Sequence, residues 1–156
     1  MAKTSYKKNL IQEPAREVGP QIVKGRQNPT MTFLNENLVP GSKCYIEIGW
    51  IYEMPEPNPH IMEHTHDYDE IVLHLGANPK NPEYLGGEIE FVVGDEKLTI
   101  NKTSALFIPK GVKHGPLTWK KVAQPHIQMV VMPGAGTLEE SNPAGYLPKN
   151  KTKKKK

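Results

Sequence analysis

Two histidines and a glutamate lie close together in this sequence, and their spacing constrains the chain more than any other feature. The stretch His64-Thr-His66-Asp-Tyr-Asp-Glu70 places two imidazoles two residues apart and a carboxylate four residues further on. On an extended strand, side chains two residues apart share a face, so both imidazoles can point at one ion. A turn over residues 67–69 can bring Glu70 back from the next strand, and His114 supplies a fourth candidate ligand.

Three imidazole nitrogens and one carboxylate oxygen form a donor set that suits divalent Fe, Mn, Ni, Co or Zn. We therefore predict one divalent metal ion per chain, held by His64, His66, Glu70 and His114. A six-coordinate ion would keep two positions for water or substrate. A single histidine on a strand is more often a hydrogen-bonded core or surface residue. Four polar side chains gathered at one interior point, however, would cost several kcal/mol of desolvation without a metal or a dense hydrogen-bond network.

The apolar pattern of the chain is that of short strands. Runs rich in Ile, Val, Phe and Tyr are separated by Gly, Pro and Asn clusters, and 15 prolines argue against long helices. Val93-Gly-Asp-Glu96 predicts a tight hairpin turn. Many short strands at close spacing predict an all-β sandwich or barrel. The predicted strands are Cys44–Glu53, His60–His66, Glu70–Leu75, Glu88–Val93, Lys97–Ile100, Ala105–Ile108 and His126–Met132.

The candidate ligands also carry a resemblance to a known family. The pattern His64-x-His66-x3-Glu70, followed by Gly76, and then Pro109-x-Gly111-x2-His114 resembles the two motifs of the cupin superfamily. The resemblance implies a small double-stranded β-helix, the jelly-roll barrel. In that barrel two histidines and a glutamate from the first motif and one histidine from the second hold a metal. The resemblance covers roughly Tyr45 to Met132 and identifies a fold and a metal site, not a reaction.

The sequence divides into three parts around this barrel. Residues 1–43 are broken by prolines and are predicted to be an irregular extension that packs on the barrel or on a partner subunit. Residues 44–134 form the cupin barrel, and 135–156 a C-terminal segment with a lysine-rich, disordered tail. The extension carries apolar side chains with little reason to face solvent, so we expect a homodimer that covers them. These are Ile22, Val23, Met31, Phe33 and Leu34.

The net charge of +3 is a property of the tail. Six lysines lie within residues 149–156, so removing them from the total leaves −3 for residues 1–148. A lysine run without interleaved aromatic residues is weak evidence for nucleic-acid binding, and we expect no specific nucleic-acid partner. No apolar run approaches the length of a membrane span, and the N-terminus lacks the pattern of a secretory signal. We expect a cytoplasmic protein.

Further polar residues are candidates for the surroundings of the metal. His74 shares alternation parity with Glu70 and can act as a second-shell group, while His126 and Gln128 share a face of the last strand and can line the pocket mouth. Ordinary core or surface positions are the competing interpretation for both histidines. Glu88 and Glu90 share a face of one strand and are weak candidates for a general base. A solvent-facing acidic edge is the more common arrangement, because unpaired glutamates are rarely buried.

The reaction stays open at this level. An Fe, Mn or Ni centre with open positions suits a dioxygenase, whereas a Lewis-acid centre suits an isomerase, a lyase or a decarboxylase. We expect a metal-dependent enzyme acting on a small organic molecule. The alternative is a non-catalytic module that binds or senses a small ligand, and a storage or structural barrel is a third reading. The insertion Ala77–Leu85 between the two motifs has no assigned role.

Overall fold

The computed structural model describes residues 6–17, 21–137 and 139–141. Apart from one short 3-10 turn at Lys7–Asn9, the regular structure in these residues is β-strand. Within this part of the chain, no helix is long and apolar enough to cross a membrane. The strands are β1 (Ala15–Glu17), β2 (Lys24–Arg26), β3 (Thr30–Leu34), β4 (Cys44–Glu56), β5 (Glu70–Gly76), β6 (Tyr84–Val93), β7 (Glu96–Lys102), β8 (Ser104–Ile108), β9 (His114–Val122) and β10 (His126–Pro133).

The strands form two antiparallel sheets. The larger sheet has the order β1-β3-β4-β10-β5-β8, with β2 also paired to β4, and the smaller sheet has the order β7-β6-β9. All the pairings are antiparallel, and β10 lies between β4 and β5. The all-β jelly roll expected from the sequence is confirmed.

The core lies between the two sheets. Side chains alternate between inward and outward along each strand, so Ile89 and Phe91 of β6 face inward and are buried. Trp119 and Leu117 reach the same core from β9, and Val72 reaches it from β5. One continuous apolar cluster therefore joins the sheets and fixes the interior faces of β5, β6 and β9, which carry candidate site residues.

Strand prediction succeeded where alternation was uninterrupted. Six of the seven predicted strands correspond to β4, β5, β6, β7, β8 and β10, and the predicted hairpin turn is present, with Gly94 at φ 59°. The predicted strand His60–His66 was wrong, because that segment forms only isolated bridges, Ile61 to Leu117 and His64 to His114. Strand β9 was missed because Gly115 and Pro116 lie inside it, and proline within an apolar run argues against a strand.

The N-terminal segment contributes three strands that the sequence analysis did not predict. β1, β2 and β3 extend the larger sheet along β4. Glu17 anchors this extension, because its carboxylate accepts hydrogen bonds from the hydroxyls of Thr32 and Tyr45, and Tyr45 is fully buried. The extension is therefore built into the sheet, and the lysine-rich tail lies outside the described residues.

The apolar side chains of the extension are covered unequally. Val23 is buried, whereas Ile22 is 69% exposed. Met31, Phe33 and Leu34 are partly buried. Pairing within the chain thus covers part of the surface that led us to expect a homodimer, and the homodimer stays a prediction.

The insertion between the motifs leaves β5 at Gly76 and returns as the first residues of β6. A Cβ atom at Gly76 would lie 2.0 Å from the carbonyl oxygen of Tyr84 and 3.2 Å from Oγ1 of Thr103. The backbone N–H of Gly76 donates to that same Oγ1 at 2.9 Å. Position 76 therefore requires glycine because two backbone segments meet there, and Leu85 of the returning segment is buried in the core.

We predict that Gly76→Ala lowers the stability of the barrel. A methyl group has no room against the Tyr84 carbonyl, so the returning segment must shift, at a cost of about 2 kcal/mol. For a chain of this size that corresponds to a melting temperature lower by about 4–8 °C. Gly94→Ala is the control, because its Cβ would meet nothing within 4 Å and only its positive φ is strained. Equal melting temperatures for the two variants in a thermal scan would contradict the steric argument.

Candidate metal centre

The structure brings together the four side chains that the sequence analysis selected as metal ligands. One ligand atom from each of His64, His66, Glu70 and His114 lies within 4.8 Å of the others; we refer to these four residues as the ligand cluster. Glu70 is the first residue of β5 and His114 the first of β9. His64 and His66 lie in the irregular segment before β5, so the cluster forms at one end of the barrel where strands from both sheets begin.

Backbone pairing holds this end together. The N–H of His64 donates to the carbonyl of His114 at 2.8 Å, and the N–H of His114 donates back to the carbonyl of His64 at 3.0 Å. The N–H of Gly111 also donates to the carbonyl of His66 at 2.8 Å. These bonds join the two sequence motifs directly, and they do so without the regular strand that was predicted for His60–His66.

Backbone carbonyls also determine which ring nitrogen each histidine presents. The Nδ1 atoms of His64, His66 and His114 lie 2.9, 2.7 and 2.9 Å from the carbonyl oxygens of Met62, Tyr68 and Val112. A carbonyl can only accept, so each Nδ1 carries the proton and donates it. In the neutral ring the lone pair is then on Nε2, the usual arrangement for a metal-binding histidine.

Glu70 lies where two of these lone pairs converge. Its Oε2 is 2.9 Å from Nε2 of His66 and 3.0 Å from Nε2 of His114. Burial opposes ionisation of Glu70, but hydrogen bonds from His114 and His66 lower its pKa to about 2. Burial also lowers the pKa of His114, but the hydrogen bond with Glu70 outweighs it, so that the pKa is raised. The site therefore favours positive charge at its centre, supplied either by two extra protons or by one cation.

The donor set fits a divalent ion. Three neutral nitrogens and one carboxylate oxygen suit the borderline divalent metals. Two ligand atoms about 2.1 Å from one ion and at right angles to each other are about 3.0 Å apart, close to the spacing of Oε2 from the two Nε2 atoms. The two sheets pack over one core, and the two sequence motifs meet at one end of the barrel. The jelly-roll fold and the placement of both motifs agree with the resemblance to the cupin superfamily.

Comparison with known proteins adds neighbours at low sequence identity. No protein-family model and no curated protein matches the chain. Polyketide cyclase RemF from Streptomyces resistomycificus is 15% identical with a TM-score of 0.49, covering 85% of this chain and 80% of its own. A cupin protein from Bacteroides fragilis is 15% identical with a TM-score of 0.46, covering 72% of this chain and 81% of its own. At these identities the likeness concerns the fold alone.

The match to a solved structure of DMSP lyases extends over a smaller part of that protein. It is 15% identical with a TM-score of 0.44, and the match covers 69% of this chain. This chain spans 47% of that protein, about half of its length.

The ligand cluster is open to solvent on one side. The side chains of His66, Glu70 and His114 are 4%, 8% and 0% exposed. His64 is only partly buried, and its neighbours Met62 and Glu63 are exposed. Burial lowers the pKa of His64, which favours its neutral, ligating form. A substrate would therefore approach past His64.

Tyr68 supports the cluster and was not selected from the sequence. Its ring stacks on the imidazole of His66, with centroids 4.0 Å apart and planes within 4°, and its backbone carbonyl accepts the His66 Nδ1 proton. The Tyr68 hydroxyl donates to the carbonyl of Ser141, and the ring packs with Tyr45 and Ala135. In the sequence it is only an aromatic residue two positions after a candidate ligand. Assigning residues 67–69 to a turn does not show whether such a residue contacts the ligand.

We predict that Tyr68→Leu weakens metal binding more than Tyr68→Phe. The leucine variant removes the ring that fixes His66, and the loss of such a supporting contact typically costs 10–100-fold in metal affinity. The phenylalanine variant keeps the stack and loses only the bond to Ser141. Competition with a chromophoric zinc chelator measures both affinities. Tyr84→Leu, at a 40% exposed tyrosine, is the control, and unchanged affinity in Tyr68→Leu would refute this role.

The structure places His74, His126 and Gln128 inside the barrel and not at its mouth. They are 1%, 0% and 3% exposed. His74 is on the inward face of β5, four residues beyond Glu70 with the buried Val72 between them. Its ring centroid lies 6.0 Å from that of Trp119 and 6.4 Å from that of His126. Because Val72 separates His74 from Glu70 on this face, His74 lies apart from the ligand cluster.

Glu88 and Glu90 face outward and do not reach the ligand cluster. On β6 they alternate with the buried Leu85, Ile89 and Phe91, and Glu88 is exposed. Glu90 forms ion pairs with Lys97 at 3.2 Å and Lys120 at 3.6 Å. The hydrogen bond from Lys97, more than any other contact, lowers its pKa. The structure places the two residues on the outer face, which the sequence could not establish, because the parity of a strand does not say which face is interior.

We predict that acid destabilises the metal-free protein through its buried histidines. Burial lowers the pKa of His74 to about 3, and burial together with the charge of Arg26 lowers that of His60 to about 3. Below about pH 6.5 these histidines bind protons in the unfolded chain, whereas in the folded chain they stay neutral to a much lower pH. Stability is therefore fully present above pH 6.5 and declines as pH falls toward 3, by up to about 1.4 kcal/mol per pH unit for each histidine.

His74→Asn isolates the contribution of one histidine to this pH dependence, because asparagine does not titrate. Urea melts at pH 7, 6, 5 and 4 measure the free energy of unfolding. As pH falls, this free energy should decrease less steeply for the variant, by a slope that corresponds to about one bound proton. Parallel pH dependences for wild type and variant would contradict the prediction.

Proposed function

We propose that this chain is a metal-dependent cupin enzyme that acts on a small organic molecule. One divalent ion, Fe, Mn, Ni, Co or Zn, would be held by His64, His66, Glu70 and His114. The observation that carries the proposal is the orientation of the ligands. Three Nδ1–H groups are bound to backbone carbonyls, and the remaining nitrogens converge on a buried carboxylate.

The protein residues set the charge and the access of the centre. One carboxylate against a divalent ion leaves a net positive charge, which favours a substrate with an anionic or polarisable oxygen. The buried side of the cluster excludes water, because His114 and Glu70 close it against the core, and the partly buried His64 leaves one approach. A bound ion supplies Lewis-acid polarisation of a substrate oxygen or, for a redox-active metal, activation of O2.

The metal decides between the two reaction classes that this centre suits. Elemental analysis of protein purified without added metal is the most informative measurement. Fe, Mn or Ni would favour a dioxygenase, whereas stoichiometric Zn would favour Lewis-acid isomerase, lyase or decarboxylase chemistry. Oxygen consumption or product formation across a panel of small carbonyl, hydroxy-acid and enol substrates then tests the assigned class.

We predict that single replacements of the four ligands remove most of the bound metal. His64→Ala, His66→Ala, His114→Ala and Glu70→Gln each delete one donor from a four-donor set, so metal per chain should fall well below the wild-type stoichiometry. Bound metal should also raise the melting temperature of the wild type, because the unfolded chain does not present the assembled site. Elemental analysis beside thermal melting measures both effects.

Glu90→Gln is the matched control for Glu70→Gln. Both are strand glutamates that contact two cationic or protonatable groups, but Glu90 is on the outer face. Its replacement should leave metal content unchanged. Full metal content in His64→Ala and His114→Ala would sink the assignment of the centre, and with it the enzymatic proposal.

A second candidate is a non-catalytic module that holds a small ligand. The outward position of Glu88 and Glu90 favours it, because it places neither residue beside the ligand cluster as a general base. Saturable ligand binding at a metal-loaded centre without turnover over the substrate panel would establish this module. Turnover that disappears with the ligand variants would instead establish the enzyme.

We also propose a homodimer. Ile22 and the edge-strand residue Phe107 are 69% and 56% exposed, and unpaired edges with apolar side chains favour association. Light scattering at micromolar concentration tests it, and a monomer would contradict it.

A further inference from the structure

Two buried polar side chains face each other inside the barrel, away from the ligand cluster. His74 of β5 and Gln128 of β10 are register partners across an antiparallel pair. Directly opposite residues on one face have Cβ atoms about 4.5–5.5 Å apart. The two side chains, 1% and 3% exposed, therefore share one small interior space. We call them the interior pair.

Among the described residues, the interior pair has no hydrogen-bond partner. Both ring nitrogens of His74 and the Oε1 atom of Gln128 are buried without a bonded neighbour. Buried polar atoms in native structures are satisfied by protein or by bound molecules in the great majority of cases. Unsatisfied hydrogen-bonding atoms on two adjacent side chains therefore indicate a bound group between them, which can reach one ring nitrogen of His74 and Oε1 of Gln128.

The surroundings determine what this group can be. His126 next to the pair is already satisfied, since Trp119 Nε1–H donates to its Nε2 at 3.1 Å and its Nδ1–H donates to the carbonyl of Gln124 at 3.3 Å. A neutral His74 offers one donor and one acceptor, and Gln128 Oε1 offers one more acceptor. A hydroxyl group, which both donates and accepts, complements this set.

Ions do not fit this space. The interior pair carries no charge to compensate a buried anion or cation, and burial of an unpaired ion is strongly unfavourable. The interior pair itself offers too few donor atoms for a metal. Among the described residues, the only grouping with metal-binding geometry is the ligand cluster.

We propose that His74 and Gln128 form an internal binding site for one small uncharged hydroxyl-bearing molecule, either a structural water or a short alcohol. The site is independent of the metal centre. Val72 lies between His74 and Glu70 on the inner face of β5, and Phe91 and Leu117 fill the same apolar layer. Occupancy would complete the hydrogen bonds of the barrel interior and hold β5 against β10.

A high-resolution crystal structure of the protein, grown without added alcohols, tests the site directly. The expected result is a single ordered peak within hydrogen-bond distance of a His74 ring nitrogen and of Gln128 Oε1. A spherical peak identifies water, whereas elongated density with a matching mass in a denatured extract identifies an alcohol. An empty space, or a direct hydrogen bond between His74 and Gln128, would overturn the proposal.

Imidazole 15N spectra provide a second test in solution. In the wild type one His74 nitrogen should show a hydrogen-bonded shift. Gln128→Leu removes one contact of the bound molecule, so a His74 nitrogen should move toward the unbonded value, while Gln124→Leu, at an exposed glutamine, should leave it in place. Unbonded shifts for both His74 nitrogens in the wild type would refute the site. The measurement applies to metal-free and zinc-loaded protein alike, so its outcome is separate from that of the proposed function.

Discussion

Three backbone carbonyls set the chemistry of the ligand cluster, because each holds the Nδ1 proton of one histidine and turns Nε2 inward. Those of Met62 and Val112 come two residues before their histidines, and that of Tyr68 two residues after. Such short-range bonds form only when the local backbone is bent, so an irregular segment before β5 serves the site better than a straight strand would. The backbone pairing of His64 with His114 then holds both bends in register.

Rigid and irregular elements contribute differently to the centre. Glu70 begins a strand bonded on both sides, to β10 and to β8, so its position is set by the sheet. His64 and His66 depend on local contacts, and the stack of Tyr68 on His66 compensates for the absent strand. The C-terminal segment contributes to the centre through the hydrogen bond from the Tyr68 hydroxyl to the carbonyl of Ser141. The centre is therefore assembled from both motifs and from the chain that follows the barrel.

The sequence predicted the elements whose physics is local. Alternating apolar residues identified β5 and β10, and Gly94 identified the hairpin turn. Strand β9 was hidden, because Pro116 removes a hydrogen-bond donor and the sequence does not say that the neighbouring ladder tolerates it. The four candidate ligands converge in space even though the strand assumed for His64 and His66 is absent. Long-range contacts, such as the ion pairs of Glu90 with Lys97 and Lys120, could not be predicted, because no local sequence pattern encodes them.

The apolar layer between the ligand cluster and the interior pair has a consequence for how the barrel can change. Glu70 and His74 lie four residues apart on one strand, a separation of about 13 Å at 3.3 Å per residue. Among the described residues, their side chains share no hydrogen-bond partner. At such distances the free-energy effects of substitutions usually add. The two ends of the barrel can therefore diverge independently, so that natural or engineered variation near His74 can tune stability while the chemistry around Glu70 is preserved.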